Sequence, residues 1–382
     1  MKKQVIMDPY RNSLPSLRLK ILKISASSVL ECLRSWWSPI SFEAFNAIKF
    51  FPALDGLRAV AVLLVISLHY GGTSTAHLSG WLGVYIFFVL SGFLITTLLI
   101  RERATRGFVD LRGFYVRRVF RICPAYYVVL VLMVWRSWAM GEPFWTNMKI
   151  ALPYYTVFFN ESLGTGVWAP WKLTWTLGIE WKYYLVWPLL GFVLMRRNSS
   201  TTIIATVMFV FIAARWIPST FYVYASLLLG SLLALGMSTK RGFSLIANLS
   251  RPLIGFVALL LLVSLQLNAV RLLPLFGDAR LGLFYSFFVA LLIPSVISPG
   301  ATKALLSFPL LIWIGKRSYS LYLLQEVAWY FVFLFRPILT IPGPLLFFLV
   351  LSIDFLLADL LYRNVEIPAI SAGRHIVKRM SV

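Results

Sequence analysis

WLGVYIFFVLSGFLITTLLI, residues Trp81–Ile100, runs from end to end without a charged side chain. As an α-helix it would be about 30 Å long, the thickness of a bilayer's hydrocarbon core. It lacks the polar face that a helix on the surface of a soluble protein needs. Working outward, apolar runs of similar length recur at Leu57–Tyr70, Ile122–Ala139, Leu173–Met195, Thr201–Ile217, Thr220–Met237, Pro252–Val270, Leu281–Ile297, Ser318–Phe335 and Pro344–Tyr362. The expected fold class is therefore all-α: a polytopic membrane protein with about ten transmembrane helices. Composition agrees. Of 382 residues, 59% are hydrophobic and only 13% charged, against roughly 25% charged in average soluble domains. An ordinary cytosolic enzyme and a disordered chain are both excluded.

The formal charge is +22, from 36 Lys and Arg against 14 Asp and Glu. In a soluble chain that would point to nucleic acid. In a membrane chain it reports topology, because Lys and Arg stay on the cytoplasmic side. Phe144–Phe159 is an eleventh, weaker apolar stretch. If it stays on the outer side or re-enters, 27 of the 36 basic residues collect on one face. If it spans, that asymmetry collapses. The reading is ten spans, multi-pass in the plasma (inner) membrane, with both termini cytoplasmic. Residues 1–50 form a basic segment in which Leu14, Leu17, Ile21 and Ile24 recur at helical spacing and Trp36 and Trp37 follow. It reads either as an amphipathic helix on an anionic surface or as a loose basic tail. Residues 51–366 form the transmembrane domain and 367–382 a cytoplasmic tail. Cys32 and Cys123 fall near the cytoplasmic face and read as thiols. His69, His77 and His375 are too scattered for a metal site.

An ionisable group inside a span costs about 2.5–3.5 kcal/mol and needs a partner or a task. Arg58 and His69 lie eleven residues apart in the first span. On a helix that is about 16 Å and roughly 20° of rotation, so both point the same way. Either they form one site, or Arg58 snorkels to headgroups and His69 caps its helix. Glu180 lies seven residues into the span that starts at Leu173. It could share a level with His69 and fix its tautomer, as a general base requires. Otherwise it pairs with Lys182 or Arg58. Arg118 and Arg121, three apart in the loop after the second span, can share a face and grip phosphates. Any cytoplasmic loop, however, can be basic. Ser91 lies in the second span with no nucleophile-elbow context and reads as packing. Glu326, Asp354 and Asp359 read as buried partners for Arg or Lys.

Six motifs occur in order: Leu54-Asp55-Gly56-Leu57-Arg58 with His69; Phe88-Val89-Leu90-Ser91-Gly92-Phe93-Leu94-Ile95-Thr96; Arg117-Arg118-Val119-Phe120-Arg121-Ile122-Cys123-Pro124; Trp175-Thr176-Leu177-Gly178-Ile179-Glu180 with Tyr183-Tyr184-Leu185; Ser318-Tyr319-Ser320-Leu321-Tyr322-Leu323; and Tyr362-Arg363-Asn364-Val365-Glu366-Ile367-Pro368. Through these, roughly residues 51–368, the sequence resembles the integral-membrane acyltransferase family 3, which acts largely on bacterial glycans. The resemblance implies ten transmembrane helices and a cytoplasmic acyl-CoA donor, acetyl-CoA by preference. It also implies transfer to a hydroxyl of a glycan, a lipid-linked sugar or another acceptor. It points to Arg58 and His69 as essential and to Glu180 and the Arg118/Arg121 segment as functional. Two departures stand out. Gln325 occupies a position where the family often has His, and Trp181-Lys182 follows Glu180 where the family often has another acid or Gln. Some members carry an additional hydrolase-like domain, which this chain is not expected to contain.

The expected mechanism has Arg117, Arg118 and Arg121 holding the CoA phosphates and Arg58 positioning the donor. His69 acts as general base with Glu180 orienting it. Neither a metal nor nucleic acid takes part; membrane lipids are the surroundings. The alternative is a transporter or flippase that uses the same intramembrane charges, although no inverted repeat is evident. A silent scaffold would tolerate replacement of Arg58 and His69.

Overall fold

Proline and glycine decide where the first helices begin and end. Helix α1 (Phe42–Ala47) is capped by the Ser41 hydroxyl. Helix α2 (Pro52–Tyr70) starts on a proline, whose missing N–H costs nothing in a first turn. Helix α3 (Gly83–Arg106) stops at Gly107, which takes a left-handed φ of 80°. Three residues later Asp110 caps α4 (Leu111–Ala139) by accepting the Gly113 N–H at 2.9 Å. The computed structural model describes residues 39–141, 173–195, 222–335 and 343–380. Further helices, besides short turns such as Gly72–Thr75 and Ala301–Leu306, are α5 (Trp175–Met195), α6 (Tyr222–Met237), α7 (Lys240–Ile246), α8 (Pro252–Phe276), α9 (Asp278–Ile297), α10 (Pro309–Lys316), α11 (Ser318–Phe335), α12 (Gly343–Leu361) and α13 (Ile367–Met380). Among the described residues there is no strand.

Among the described residues, six helices are long and apolar enough to cross a bilayer: α2, α3, α4, α8, α9, and α12 with its continuation. A pair formed by α6 and Lys240–Ser250, bent through 115°, would make seven. Helices α5 and α11 occupy expected spans but fall outside that number. Glu180 and Lys182 in one, and Gln325 and Glu326 in the other, dilute their apolar character. The expected Thr201–Ile217 span, the Phe144–Phe159 segment, the amphipathic stretch within 1–38 and Cys32 lie outside the described residues. The structure therefore supports a helical polytopic protein without fixing ten as the count.

One boundary differs from expectation. Residues 111–121 are not a loop; they are the first turns of α4, continuous with the span. The Asp110 cap starts the helix early, and Pro124 sits inside it without ending it. The 367–382 tail likewise holds a helix, α13, which docks on the start of α4 through Gly373 beneath Phe120 and Val377 beside Gly113.

Bilayer helices associate by close packing, which favours small residues at their contacts. The most extensive pairing is α3 with α6. It is reciprocal: Gly92 lies on the Leu227 carbonyl and Gly230 on the Val89 carbonyl. Helix α2 is held in the same way, with Gly83 against the Ala61 backbone and Gly315 against the backbone of Asp55. At the opposite end of α3, Arg101 donates to the Ile48 carbonyl at 2.7 Å and to Phe45 at 3.3 Å, while its guanidinium covers the Phe45 and Phe51 rings. This pins α1 across the basic end of the bundle. Because the Gly92 and Gly230 contacts are backbone on backbone, neither side can yield. Gly92→Val is expected to cost about 1–3 kcal/mol or more, read as a lower thermal-unfolding midpoint in detergent, with Gly230→Val similar.

Candidate active site

The helices leave a cavity of about 300 Å³ between α2, α3, α4, α5 and α11, floored by Lys49, Phe50 and Phe51. Five basic residues (Lys49, Arg58, Arg101, Arg118, Arg121) line it against two acidic ones, Asp55 and Glu180. In a low-dielectric bundle that excess makes an anion site. Arg101 is occupied with backbone carbonyls. Arg58 and Arg121 make no hydrogen bond to a protein group among the described residues, which leaves their guanidinium donors to a ligand.

Arg118 is held by ring faces. Its guanidinium carbon lies 5.5 Å from the Phe114 ring centre and 5.5 Å from that of Tyr184. The Tyr184 hydroxyl donates to Glu180 Oε2 at 2.8 Å and lies 2.6 Å from Ser91 Oγ. A phenol has one proton, so Ser91 must be the donor to Tyr184. The chain Ser91 to Tyr184 to Glu180 thus orients a carboxylate among Arg58, Arg118 and Arg121, whose charges all reach it. Ser91, read from sequence as packing, belongs to this network and lines the cavity.

Arg117 does not join the other two arginines. It points to Glu102, with both carboxylate oxygens at 3.3 Å from one of its nitrogens, and is not among the residues lining the cavity. Helix spacing does not separate it, because 117 lies only about 40° around the helix from 121; the Glu102 carboxylate holds it outside.

His69 is also placed differently from expectation. It is at the far end of α2 from Arg58, exposed on one side, and its Nδ1 lies 3.1 Å from Gln325 Oε1. Glu180 is not its partner. The orientation of Gln325 follows from its other contact, in which Nε2 donates to the Tyr322 carbonyl at 2.8 Å. A carbonyl only accepts, so the amide oxygen must face His69, and His69 Nδ1 must carry the proton. Nε2 then keeps its lone pair, the form a general base needs. The departure that sequence reading noted at Gln325 is thus the residue that sets the histidine's tautomer.

Two smaller cavities lie further along, of which one adjoins the first. One of about 60 Å³ shares Arg58, Glu180 and Tyr319 with it and ends at Tyr322. Another of about 20 Å³ lies on the far side of Tyr322, beside Glu326. His69 is not among the lining residues of these three cavities. Asp359 pairs with Arg317 at 2.6 Å and Arg363 at 2.8 Å as expected, although it is partly exposed and not buried. Asp354 does not: it is fully buried and neither oxygen has a hydrogen-bond partner among the described residues. It lies on α12 about 140° around the helix from Asp359, away from those arginines. No group of three or more His, Cys, Asp or Glu that could hold a metal occurs among the described residues.

Residues 51–363 match the "Acyltransferase domain" family, acyltransferase family 3, and the chain belongs to it. The "Peptidoglycan O-acetyltransferase OatA" of Listeria monocytogenes is 29% identical over 354 residues, covering 84% of this chain and 56% of that protein. The "Putative peptidoglycan O-acetyltransferase YrhL" of Bacillus subtilis is 31% identical over 367 residues, covering 85% of this chain and 56% of that protein. The chain therefore spans little more than half the length of these relatives. No solved structure matches it. The family it belongs to is one of acyltransferases. Gln325→Leu is expected to lower the acyl-transfer rate about 10-fold or more by freeing the His69 tautomer. Gln325→Glu, which still accepts the Nδ1 proton, should retain more activity in the same membranes.

Proposed function

We propose that this family member moves an acyl group, in the simplest case acetyl, from acyl-CoA to a hydroxyl of a sugar or glycan-like acceptor. One observation carries the reading. Arg58, Arg118 and Arg121 converge on a single cavity at the basic end of the bundle, and the helix that presents Arg58 presents His69 eleven residues further on. A nucleotide with several phosphates fits the first, and proton removal from a hydroxyl fits the second.

Arg118 and Arg121 pair with the donor's phosphates, for which a planar guanidinium is suited. Glu180 balances the three guanidinium charges while the cavity is empty and holds their geometry as phosphate replaces it. Arg58 sits where the thiol-bearing arm passes toward the smaller cavity. At the far end His69 Nε2 takes the proton of the acceptor hydroxyl. The hydroxyl oxygen forms a bond to the thioester carbonyl carbon, the carbon–sulfur bond breaks, and the proton passes from His69 to the departing thiolate. No step requires a metal.

The basic end faces the cytoplasm by the positive-inside rule, which puts the donor on that side of the plasma membrane and both termini with it. The acceptor approaches from the His69 end. Peptidoglycan, named for the relatives, is one glycan of the required kind, and a lipid-linked sugar is another.

In membranes supplied with labelled acetyl-CoA, His69→Ala and Arg58→Ala should each lower transfer by at least about 100-fold with normal insertion. Wild-type rates for His69→Ala would remove the proposal. The arginines should divide as the geometry does. Arg118→Gln and Arg121→Gln are each expected to weaken CoA binding about 10-fold, while Arg117→Gln leaves it within about 2-fold.

A further inference from the structure

The 60 Å³ cavity beyond Arg58 has one feature that the donor reading leaves unused. Four hydroxyls line it, from Thr176, Ser318, Tyr319 and Tyr322. Three are committed. Thr176 donates to Tyr322 at 2.9 Å, Tyr322 donates to the Leu173 carbonyl, and Tyr319 donates to the Ile122 carbonyl at 2.9 Å. Ser318 is 1% exposed, and its Oγ has no hydrogen-bond partner among the described residues. A buried hydroxyl with nothing to bond to is costly, and its retention points to a ligand atom that completes it. The opposite wall is apolar, made by Val84, Phe87 and Phe88.

We propose that this cavity is the acyl pocket: it takes the acyl group of the donor, and Ser318 Oγ donates a hydrogen bond to the thioester carbonyl oxygen. The inference rests on the donor reading above and extends it to acyl-chain selection. Three arguments support it. The pocket adjoins the arginine-lined cavity through Arg58 and Glu180, so an arm anchored by its phosphates reaches it without leaving the bundle. Its 60 Å³ holds about four water-sized units at roughly 15 Å³ each, room for a two-carbon acyl group and not for a long chain. Ser318 also stands seven residues before Gln325, the residue that holds His69. Seven residues bring Ser318 back to nearly the same face of α11 about 10 Å away. A carbonyl bonded at one end and an attacking hydroxyl bonded at the other would fill that span, since reacting atoms stand about 3–3.5 Å apart.

The test uses the purified full-length protein in lipid nanodiscs. Displacement of labelled CoA by CoA, acetyl-CoA and butyryl-CoA gives the contribution of the acyl group as a ratio of affinities. For Ser318→Ala the acetyl-CoA affinity should fall about 5–10-fold while CoA affinity holds, and the acetyl-transfer kcat should fall with it. For Phe88→Ala the acetyl-to-butyryl preference should shift about 10-fold toward butyryl. Val84→Leu, a milder change that narrows the pocket, should weaken acetyl-CoA and spare CoA. Unchanged CoA binding in each variant also reports an intact fold. Wild-type ratios in Ser318→Ala and Val84→Leu, with CoA still bound, would overturn the acyl pocket alone. Failure of the wild-type protein to bind CoA would overturn the donor reading and the pocket with it.

Discussion

A carboxylate among three guanidinium groups, inside an apolar bundle, is the constraint on which the rest of the site depends. Each charge is expensive to hold away from water. Without Glu180, the Arg58, Arg118 and Arg121 side chains would repel one another and turn toward headgroups. The carboxylate in turn is fixed by Tyr184, which stacks under Arg118 and is itself oriented by Ser91. Three helices, α3, α4 and α5, are thereby tied at one level by polar contacts. Apolar packing against lipid-like neighbours could not specify that level.

The two ends of the site are organised by different logic. At the basic end, charges are collected and left with donors to spare, so that an anion completes them. At the His69 end Gln325 bridges a backbone carbonyl and an imidazole, and the result is one defined tautomer. Between them Tyr322 is held by Thr176 and the Leu173 carbonyl, separating the cavities on its two sides. Binding and proton transfer are thus kept apart along α2 and joined along α11.

Much of the fold was legible in the apolar runs, because a bilayer imposes one length and one hydrogen-bonding solution on every span. Helices α5 and α11 read as spans like the others, and the polar residues of the site within them keep them outside the six most apolar helices. The start of α4 read as a loop because its arginines outweighed the quieter signal of Asp110 as a cap. Among site residues, Arg118 and Arg121 could be paired by their spacing, but spacing could not exclude Arg117, which stands four residues from Arg121 and is drawn off by Glu102. What one sequence could not show was which distant side chains meet. Glu180 and His69 were matched by estimated depth, yet depth says nothing of direction, and the partner proved to be Gln325. Ser91 and Ser318 fell inside quoted motifs but were given no role, since a serine in a span shows its role only when its hydrogen bonds are traced.

The interlocked glycines of α3 and α6 bear on how the bundle can move. Two helices meeting backbone to backbone have no compressible side chains between them, so that seam behaves as a rigid strut. Any breathing that admits a bulky nucleotide must then occur across the opposite walls, where α4 and α11 meet through aromatic rings and single hydrogen bonds. Turnover in such a molecule would be hinged rather than diffuse, with one side fixed and the other free to swing.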